Sequence, residues 1–411
     1  MTSLTENTKC SNATTPPTTP PKVPNHYVIS QWDDEVLNLK SELLRGIYAF
    51  GFEKPSSIQQ KALAPMTKRP PRDIIAQAQS GTGKTGAFVT GILQIINEKE
   101  KITQALILAP THELANQIKQ VIDDIGRFLK IKTQLLVGGT SVEKDKQQLI
   151  DTPPHVIIGT PGRVHDMFRR KYVNPSLLKI LVVDEADEML SSGFKEQMYK
   201  IFQYMPNDIQ VGLFSATMPT DLQELTDKFL RHPVKILVKA EQLTLQGIAQ
   251  YFINLDDDIQ KYDTIKDLFA SLTMSQAIIY CNSTRRVDDL CEAMVADNFP
   301  VKKIHGKMPD DERKAVHKDF KAGGCRVLIT SDLFARGIDV QQVSIVINFD
   351  IPRDEHTYLH RIGRSGRWGR KGVAINFTTK HDSVRLKKFE EYYATQITEM
   401  PGDYTKHLGM N

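Results

Sequence analysis

Six short apolar runs recur along the first half of the chain: 73–78 (DIIAQA), 104–110 (QALILAP), 133–139 (TQLLVGG), 155–161 (HVIIGTP), 179–186 (KILVVDEA) and 210–216 (QVGLFSA). They do not alternate apolar with polar residues, so a strand built from any of them needs cover on both faces. Segments with helical spacing, such as THELANQIKQVIDDIGRFLK, lie between several of them. Buried strands separated by helices predict a mainly parallel sheet with helices on both sides. The pattern restarts after Val238, with runs at 275–282, 301–306, 325–332, 343–350 and 372–377. The chain is therefore read as α/β with two tandem units, 27–238 and 248–411, joined by the polar linker 239–247 (KAEQLTLQG). Two lobes on a short tether form a cleft that opens and closes.

Residues 1–26 are rich in Thr and Pro and nearly empty of core-forming side chains. Such a segment cannot offset its ordering entropy, and it reads as a disordered tail. Lys and Arg number 53 against 49 Asp and Glu, a net charge of +4. Bulk charge thus does not mark a nucleic-acid binder, and any such surface must be local. Cys10, Cys281, Cys291 and Cys325 form no CxxC pair, which fits free thiols in a reducing compartment. No stretch approaches the ~18 apolar residues of a membrane span. The expectation is a soluble, monomeric, cytoplasmic protein, with the nucleus as the alternative compartment.

The sharpest chemistry sits at 78–85, AQSGTGKT, between a strand and an apolar helix. Apart from Ala78 in the first Gly position, it matches a phosphate-binding loop. Ser80, Gly81, Thr82 and Gly83 turn backbone N–H groups around phosphate oxygens. Lys84 adds a point charge, and Thr85 adds an oxygen for Mg²⁺. Downstream, LVVDEADEM (181–189) ends an apolar run in four acids. Alone, those acids would be a solvated turn. Paired with the upstream loop, Asp184 is placed for Mg²⁺ through its water shell, and Glu185 for the attacking water. GFEKPSSIQ (51–59) offers Phe52 to stack on an adenine and Gln59 to read its N6 and N7. Trp32 is either a further aromatic for the base or core packing. SAT (215–217) reads as a strand-end turn or as a coupling element. Arg361, Arg364, Arg367 and Arg370, spaced by three, read as a solvated basic helix or a nucleic-acid patch.

DEAD at 184–187, SAT at 215–217, HRIGRSGR at 360–367 and GFEKPSSIQ at 51–59 resemble the DEAD-box RNA helicases, with matching order from about Trp32 to Pro401. Within that family the chain looks most like the translation initiation factor 4A subgroup. The resemblance implies two tandem RecA-like domains, ATP and Mg²⁺ as cofactors, and ATP hydrolysis coupled to RNA binding, local duplex separation and RNA release. An ATP-gated RNA clamp with little unwinding of its own is the alternative, and an ATPase acting on DNA or protein is a more distant one. By resemblance, Arg364 and Arg367 are arginine fingers and His360 meets the first lobe. Asp187, Ser215, Thr217 and Arg361 couple the lobes, and Asp339 joins the ribose side. RNA phosphates are assigned to Pro110, Thr111, Gly139, Thr160 and Arg163, and in the second lobe Gly306, Arg313, Thr330 and Arg336 match RNA-side or cleft-side positions, with Gly306, Arg313 and Thr330 taken as RNA-binding. A scaffold protein of helical repeats is the implied partner. The chain departs from the family at His112, where an imidazole replaces Arg, and at Lys307, Asp310 and Ser331, which replace Asp, Gln and Thr.

If Glu185 handles the attacking water, Glu185→Gln keeps ATP binding while turnover falls at least a hundredfold, in line with losing a general base. Nucleotide titration beside steady-state hydrolysis checks this, and near-normal turnover would remove Glu185 from the mechanism.

Overall fold

The computed structural model describes residues 28–68, 70–79, 81–190, 193–237, 247–271, 276–332, 343–366 and 371–402. The expected tail 1–26 lies outside the described residues, as does the expected linker apart from Gly247. The first sheet contains β1 (Ile74–Gln77), β2 (Ala105–Leu108), β3 (Thr133–Leu136), β4 (Val156–Gly159), β5 (Ile180–Asp184), β6 (Gln210–Ser215) and β7 (Val234–Ile236). Its order is β3-β4-β2-β5-β6-β1-β7, parallel throughout. The second contains β8 (Ile248–Asn254), β9 (Gln276–Tyr280), β10 (Val301–Ile304), β11 (Val327–Thr330), β12 (Val343–Asn348), β13 (Gly372–Thr378) and β14 (Thr398–Glu399). Its order is β10-β11-β9-β12-β13-β8-β14, again parallel.

Each apolar run singled out in the sequence is a strand, and the central ones are buried on both faces as that pattern requires. In β5, Ile180 and Val182 join the core under the helices Lys84–Ile95 and His112–Ile125. Leu181 and Val183 join the opposite core under Pro161–Arg169 and Lys195–Tyr204. β7, β8 and β14 were not anticipated. β7 has three residues with an exposed Lys235, β8 is only partly buried, and both residues of β14 are exposed. β7 and β14 are too short, and the seven-residue β8 too little buried, for an apolar signal to stand out.

Register is what aligns the chemistry. Gln77 pairs with Ser215, and Asp184 pairs with Phe214. The loops after β1, β5 and β6 therefore leave the sheet side by side, at the carboxyl ends of the strands where parallel α/β sheets bind ligands.

Helices pack closely where Ser41–Ala49 crosses His112–Ile125. A Cβ built on Gly46 would stand 1.9 Å from the carbonyl oxygen of Ile125. Backbone cannot swing aside as a rotamer can. Gly46→Ala gains about 1 kcal/mol of helix propensity and loses about 3 kcal/mol to overpacking. Net destabilisation of about 2 kcal/mol is expected from denaturant unfolding, and a stabilised variant would mean the two helices separate freely.

Candidate functional site

The loop after β1 turns on two glycines in the left-handed region, Gly81 (φ 83°) and Gly83 (φ 98°). Gly83 caps the helix Lys84–Ile95, so its first N–H groups face the loop. The loop also packs directly beneath the 51–59 segment. A Cβ on Gly83 would lie 2.7 Å from Ser56 Oγ, and one on Gly86 would lie 2.6 Å from Gln59 Nε2 and 2.8 Å from Phe52 Cε2. Gly86 was missed from sequence, although a glycine opening an apolar helix was the available signal.

Gln59 is buried, and both ends of its amide are engaged. Oε1 accepts from the Ser56 N–H at 2.7 Å, and Nε2 donates to the Gly83 carbonyl at 3.2 Å. It caps its helix and ties that helix to the phosphate loop, whereas the sequence suggested an amide aimed at a base. The Phe52 ring lies near-parallel to Trp32, with centroids 6.0 Å apart. Trp32 is fully buried in the core, so core packing is its role, and it backs Phe52.

Lys84 is buried and donates to the Ala78 carbonyl at 2.8 Å. Asp184 is buried at the end of β5 and accepts from the Glu185 N–H at 3.0 Å. Burial, and then the Glu185 charge, push the Asp184 carboxyl from 3.8 up to about 7, against the opposing pull of Lys84. Glu185 itself sits at φ 48°, ψ 53°, a left-handed conformation that costs a non-glycine residue about 1 kcal/mol. The turn it makes divides the strand from the short helix Ala186–Met189. Phe52, Gln59, residues 81–85, Asp184 and Glu185 line a cavity of about 500 Å³, and Arg364 lines it from the second lobe.

Asp184 and Thr85 bring oxygen donors into that cavity, and the desolvated carboxylate lacks full cationic compensation. Both features fit a hard divalent cation. The donors of Glu185, Asp187 and His360 also lie within 4.8 Å of one another. There, however, Asp187 Oδ2 hydrogen-bonds His360 Nε2 at 2.8 Å and accepts from Thr217 Oγ1 at 2.6 Å. Ser215 Oγ accepts the N–H groups of Asp187 (3.4 Å) and Thr217 (3.3 Å). This cluster is an interlobe joint. It brings together Asp187, Ser215 and Thr217, three of the residues suggested to couple the lobes, with His360, which was suggested to meet the first lobe.

Arg361 requires a correction. It is fully buried, and its guanidinium donates to Asp332 (2.5 Å), Asn282 (2.7 Å), Asn348 (3.2 Å) and the Asp350 carbonyl (2.7 Å). All of these belong to the second lobe, so Arg361 braces its strand ends and does not bridge the cleft. Arg313 requires the opposite correction. Its guanidinium crosses the cleft to Glu113 at 2.8 Å and also bonds Asp310 at 2.8 Å, so it is an interlobe group and not an open phosphate contact. Thr330 is fully buried, and its hydroxyl donates to the Ile304 carbonyl. Arg163 is held by Asp145 and by Thr140, and Thr111 caps its helix through the Leu114 N–H. Sequence reading missed these engagements because each partner is remote or polar without a motif. Pro110, Thr160 and Arg163 share a second cavity of about 390 Å³ with His112 and Gly138. Gly139 (φ 78°) and Gly306 are exposed. Ser80, Arg336, Asp339, Arg367 and Arg370 lie outside the described residues.

The DEAD/DEAH box helicase family matches residues 56–225, and the helicase conserved C-terminal domain matches 260–369. Eukaryotic initiation factor 4A of Caenorhabditis elegans is 52% identical over 374 residues, 91% of this chain and 92% of that protein. ATP-dependent RNA helicase eIF4A of Pyricularia oryzae is 53% identical over 384 residues, 92% of this chain and 96% of that protein. Among solved structures, Saccharomyces cerevisiae Dbp5 bound to RNA and ADP BeF3 superposes with a TM-score of 0.86 at 37% identity, covering 91% of this chain and 97% of that one. In the described residues no helix is long and apolar enough to cross a membrane.

The raised Asp184 carboxyl has a stability consequence. The unfolded chain ionises this group near its ordinary value, while the folded chain keeps it protonated until about pH 7. The folded state therefore binds more protons between those limits, and stability falls as pH rises through them. Asp184→Asn is expected to raise the melting temperature in chelator at pH 8 and to leave it nearly unchanged at pH 4. A loss of stability at pH 8 would contradict the desolvated carboxylate.

Proposed function

The chain belongs to the DEAD/DEAH box helicase family and is an ATP-dependent RNA helicase, and we propose that it works by closing its two lobes over ATP and RNA together. The observation that carries this is the cavity of about 500 Å³ in which Arg364 of the second lobe faces Lys84, Asp184 and Glu185 of the first. A phosphoryl-transfer site completed by an arginine from another lobe is active only when the lobes meet.

In this reading the γ-phosphate of ATP lies between the loop amides, Lys84 and Arg364. Lys84 exchanges the Ala78 carbonyl for phosphate oxygens. The base lies at Phe52, and recruiting the Gln59 amide would loosen its bond to Gly83, so that base recognition and loop geometry are linked. Asp184 and Thr85 would hold Mg²⁺, which offsets phosphate charge when bound. Glu185 orients the attacking water and accepts its proton. The Asp187–His360 bond reports closure to the second lobe, and Ser215 and Thr217 hold Asp187 in place for it. RNA lies along the rim that includes Pro110, Thr160, Gly139 and Gly306, contacted through its phosphates. Domains 27–238 and 248–411 are the two lobes. The protein acts as a cytoplasmic monomer, and a helical-repeat scaffold that touches both lobes would favour closure.

Steady-state ATP hydrolysis with and without single-stranded RNA, at two salt concentrations, tests the proposal. Closure over both ligands predicts at least tenfold stimulation by RNA, declining at higher salt as phosphate contacts are screened. Equal rates with and without RNA would leave a partner-dependent clamp in place of an active helicase.

A further inference from the structure

The loop after β3 and the helix after β4 leave neighbouring strands, because Leu136 pairs with Gly159. Each carries a glycine that faces open space: a Cβ added at Gly139 or at Gly162 would meet nothing within 4 Å. Gly139 also takes φ 78°, a conformation that side chains disfavour. Arg163 crosses from the helix Pro161–Arg169 to that loop. Its Nη1 donates to Thr140 Oγ1 at 2.8 Å and to Asp145 Oδ2, and its Nη2 donates to the Thr140 carbonyl at 2.7 Å. Asp145 is anchored in turn, since its backbone carbonyl accepts from Gln134 Nε2 at 3.0 Å, and Gln134 is buried on β3. The Thr140 hydroxyl lies 3.0 Å from Asp145 Oδ2 and 2.9 Å from the Val137 carbonyl, with one proton to give to either.

We infer that Arg163, Asp145 and Thr140 are positioning residues for RNA. They form a buried strut that holds the Gly139 turn against the start of the helix Pro161–Arg169, so that bare backbone on both sides receives phosphates. Arg163 itself contacts no phosphate. The inference rests on the RNA rim of the closure reading above and deepens it, by saying what shapes that rim on the first lobe.

Chemistry favours a strut over a direct contact. The Arg163 and Asp145 side chains are only 8% and 11% exposed. Both terminal nitrogens of the guanidinium are turned to a carboxylate, a hydroxyl and a carbonyl, so its fork is occupied. Swinging it out to a phosphate would strand a buried carboxylate, a larger cost than one exposed contact returns. A lysine could not take its place, because a single ammonium lacks the planar fork that spans Thr140 and Asp145 together. The rim keeps its attraction for phosphate through the helix N-terminus and the open glycine backbone.

The test separates strut from contact by sign. Removing the Asp145 charge frees Arg163 and adds one positive charge to the rim, so a phosphate-binding Arg163 would hold RNA more tightly. A strut predicts the reverse. Affinity for a fluorescent single-stranded RNA is measured on the full chain with a non-hydrolysable ATP analogue, over a series of salt concentrations. Asp145→Asn is expected to weaken RNA about tenfold, part of the cost of breaking a buried pair, and Thr140→Val is expected to weaken it as well. The double variant Arg163→Gln/Asp145→Asn, which leaves the net charge unchanged, should be no weaker than the weaker single variant. Its slope of log affinity against log salt should match wild type, whereas loss of a phosphate contact would lower that slope by about 0.7. Unchanged ATP affinity without RNA in Asp145→Asn and Thr140→Val shows that the fold is kept. Tighter or unaltered RNA binding by Asp145→Asn, additive losses in the double variant, or the lowered slope would each overturn the inference. Should Asp145→Asn fail to fold, Arg163→Lys decides: a loss as large as that of Arg163→Gln supports the strut, and wild-type affinity overturns it. No RNA binding by wild type would instead overturn the closure reading itself.

Discussion

A carboxylate drawn out of water must be given partners, and the buried Asp187 takes its own from two separate places. Thr217 follows β6, and His360 rides on a helix of the other lobe. Satisfying this single oxygen ties the turn after β5 to the end of β6 and to the second lobe. Its neighbour Asp184 faces the same requirement without a comparable set of donors, and its carboxyl responds by holding its proton. One acid is compensated by structure. The other is compensated by a proton.

The second lobe divides its labour along one helical turn. His360 and Arg361 are adjacent, so on the helix Glu355–Ile362 they point about 100° apart. Arg361 turns inward and gathers the ends of β9, β11 and β12, while His360 turns to the cleft. Arg364, four residues after His360 and bonded to its carbonyl at 3.2 Å, continues the cleft-facing side. A run of evenly spaced arginines thus contains a buried brace and a cavity-lining cation, which spacing alone cannot distinguish.

The extent to which the sequence was legible follows the range of each interaction. The phosphate loop, Asp184 and the central strands are written in consecutive residues, because a tight anion-binding turn and a two-sided strand each need particular side chains at adjacent positions. The role of Gln59 was half visible: its chemistry suits a base, but its position three residues after Ser56 equally suits a cap, and that is how it bonds. Glu113 and Arg313 lie on different lobes, so no local pattern reveals that they touch. Trp32 and Thr330 were ambiguous because burial is a property of the whole fold, and both proved to be inside it.

The strand order carries a consequence for how the chain is made. In the first sheet the earliest strand, β1, pairs with β6 and β7, the last two to appear. In the second, the earliest strand, β8, pairs with β13 and β14, again the last. Each lobe is therefore sewn shut by its own final segment, and the strand that leads into the phosphate loop stays without neighbours during most of its lobe's synthesis. Such late, long-range pairing is slow and leaves apolar edges exposed meanwhile. A ribosome pausing just before β6 would hold out a nascent chain with β1 bare on both edges, a natural client for a chaperone.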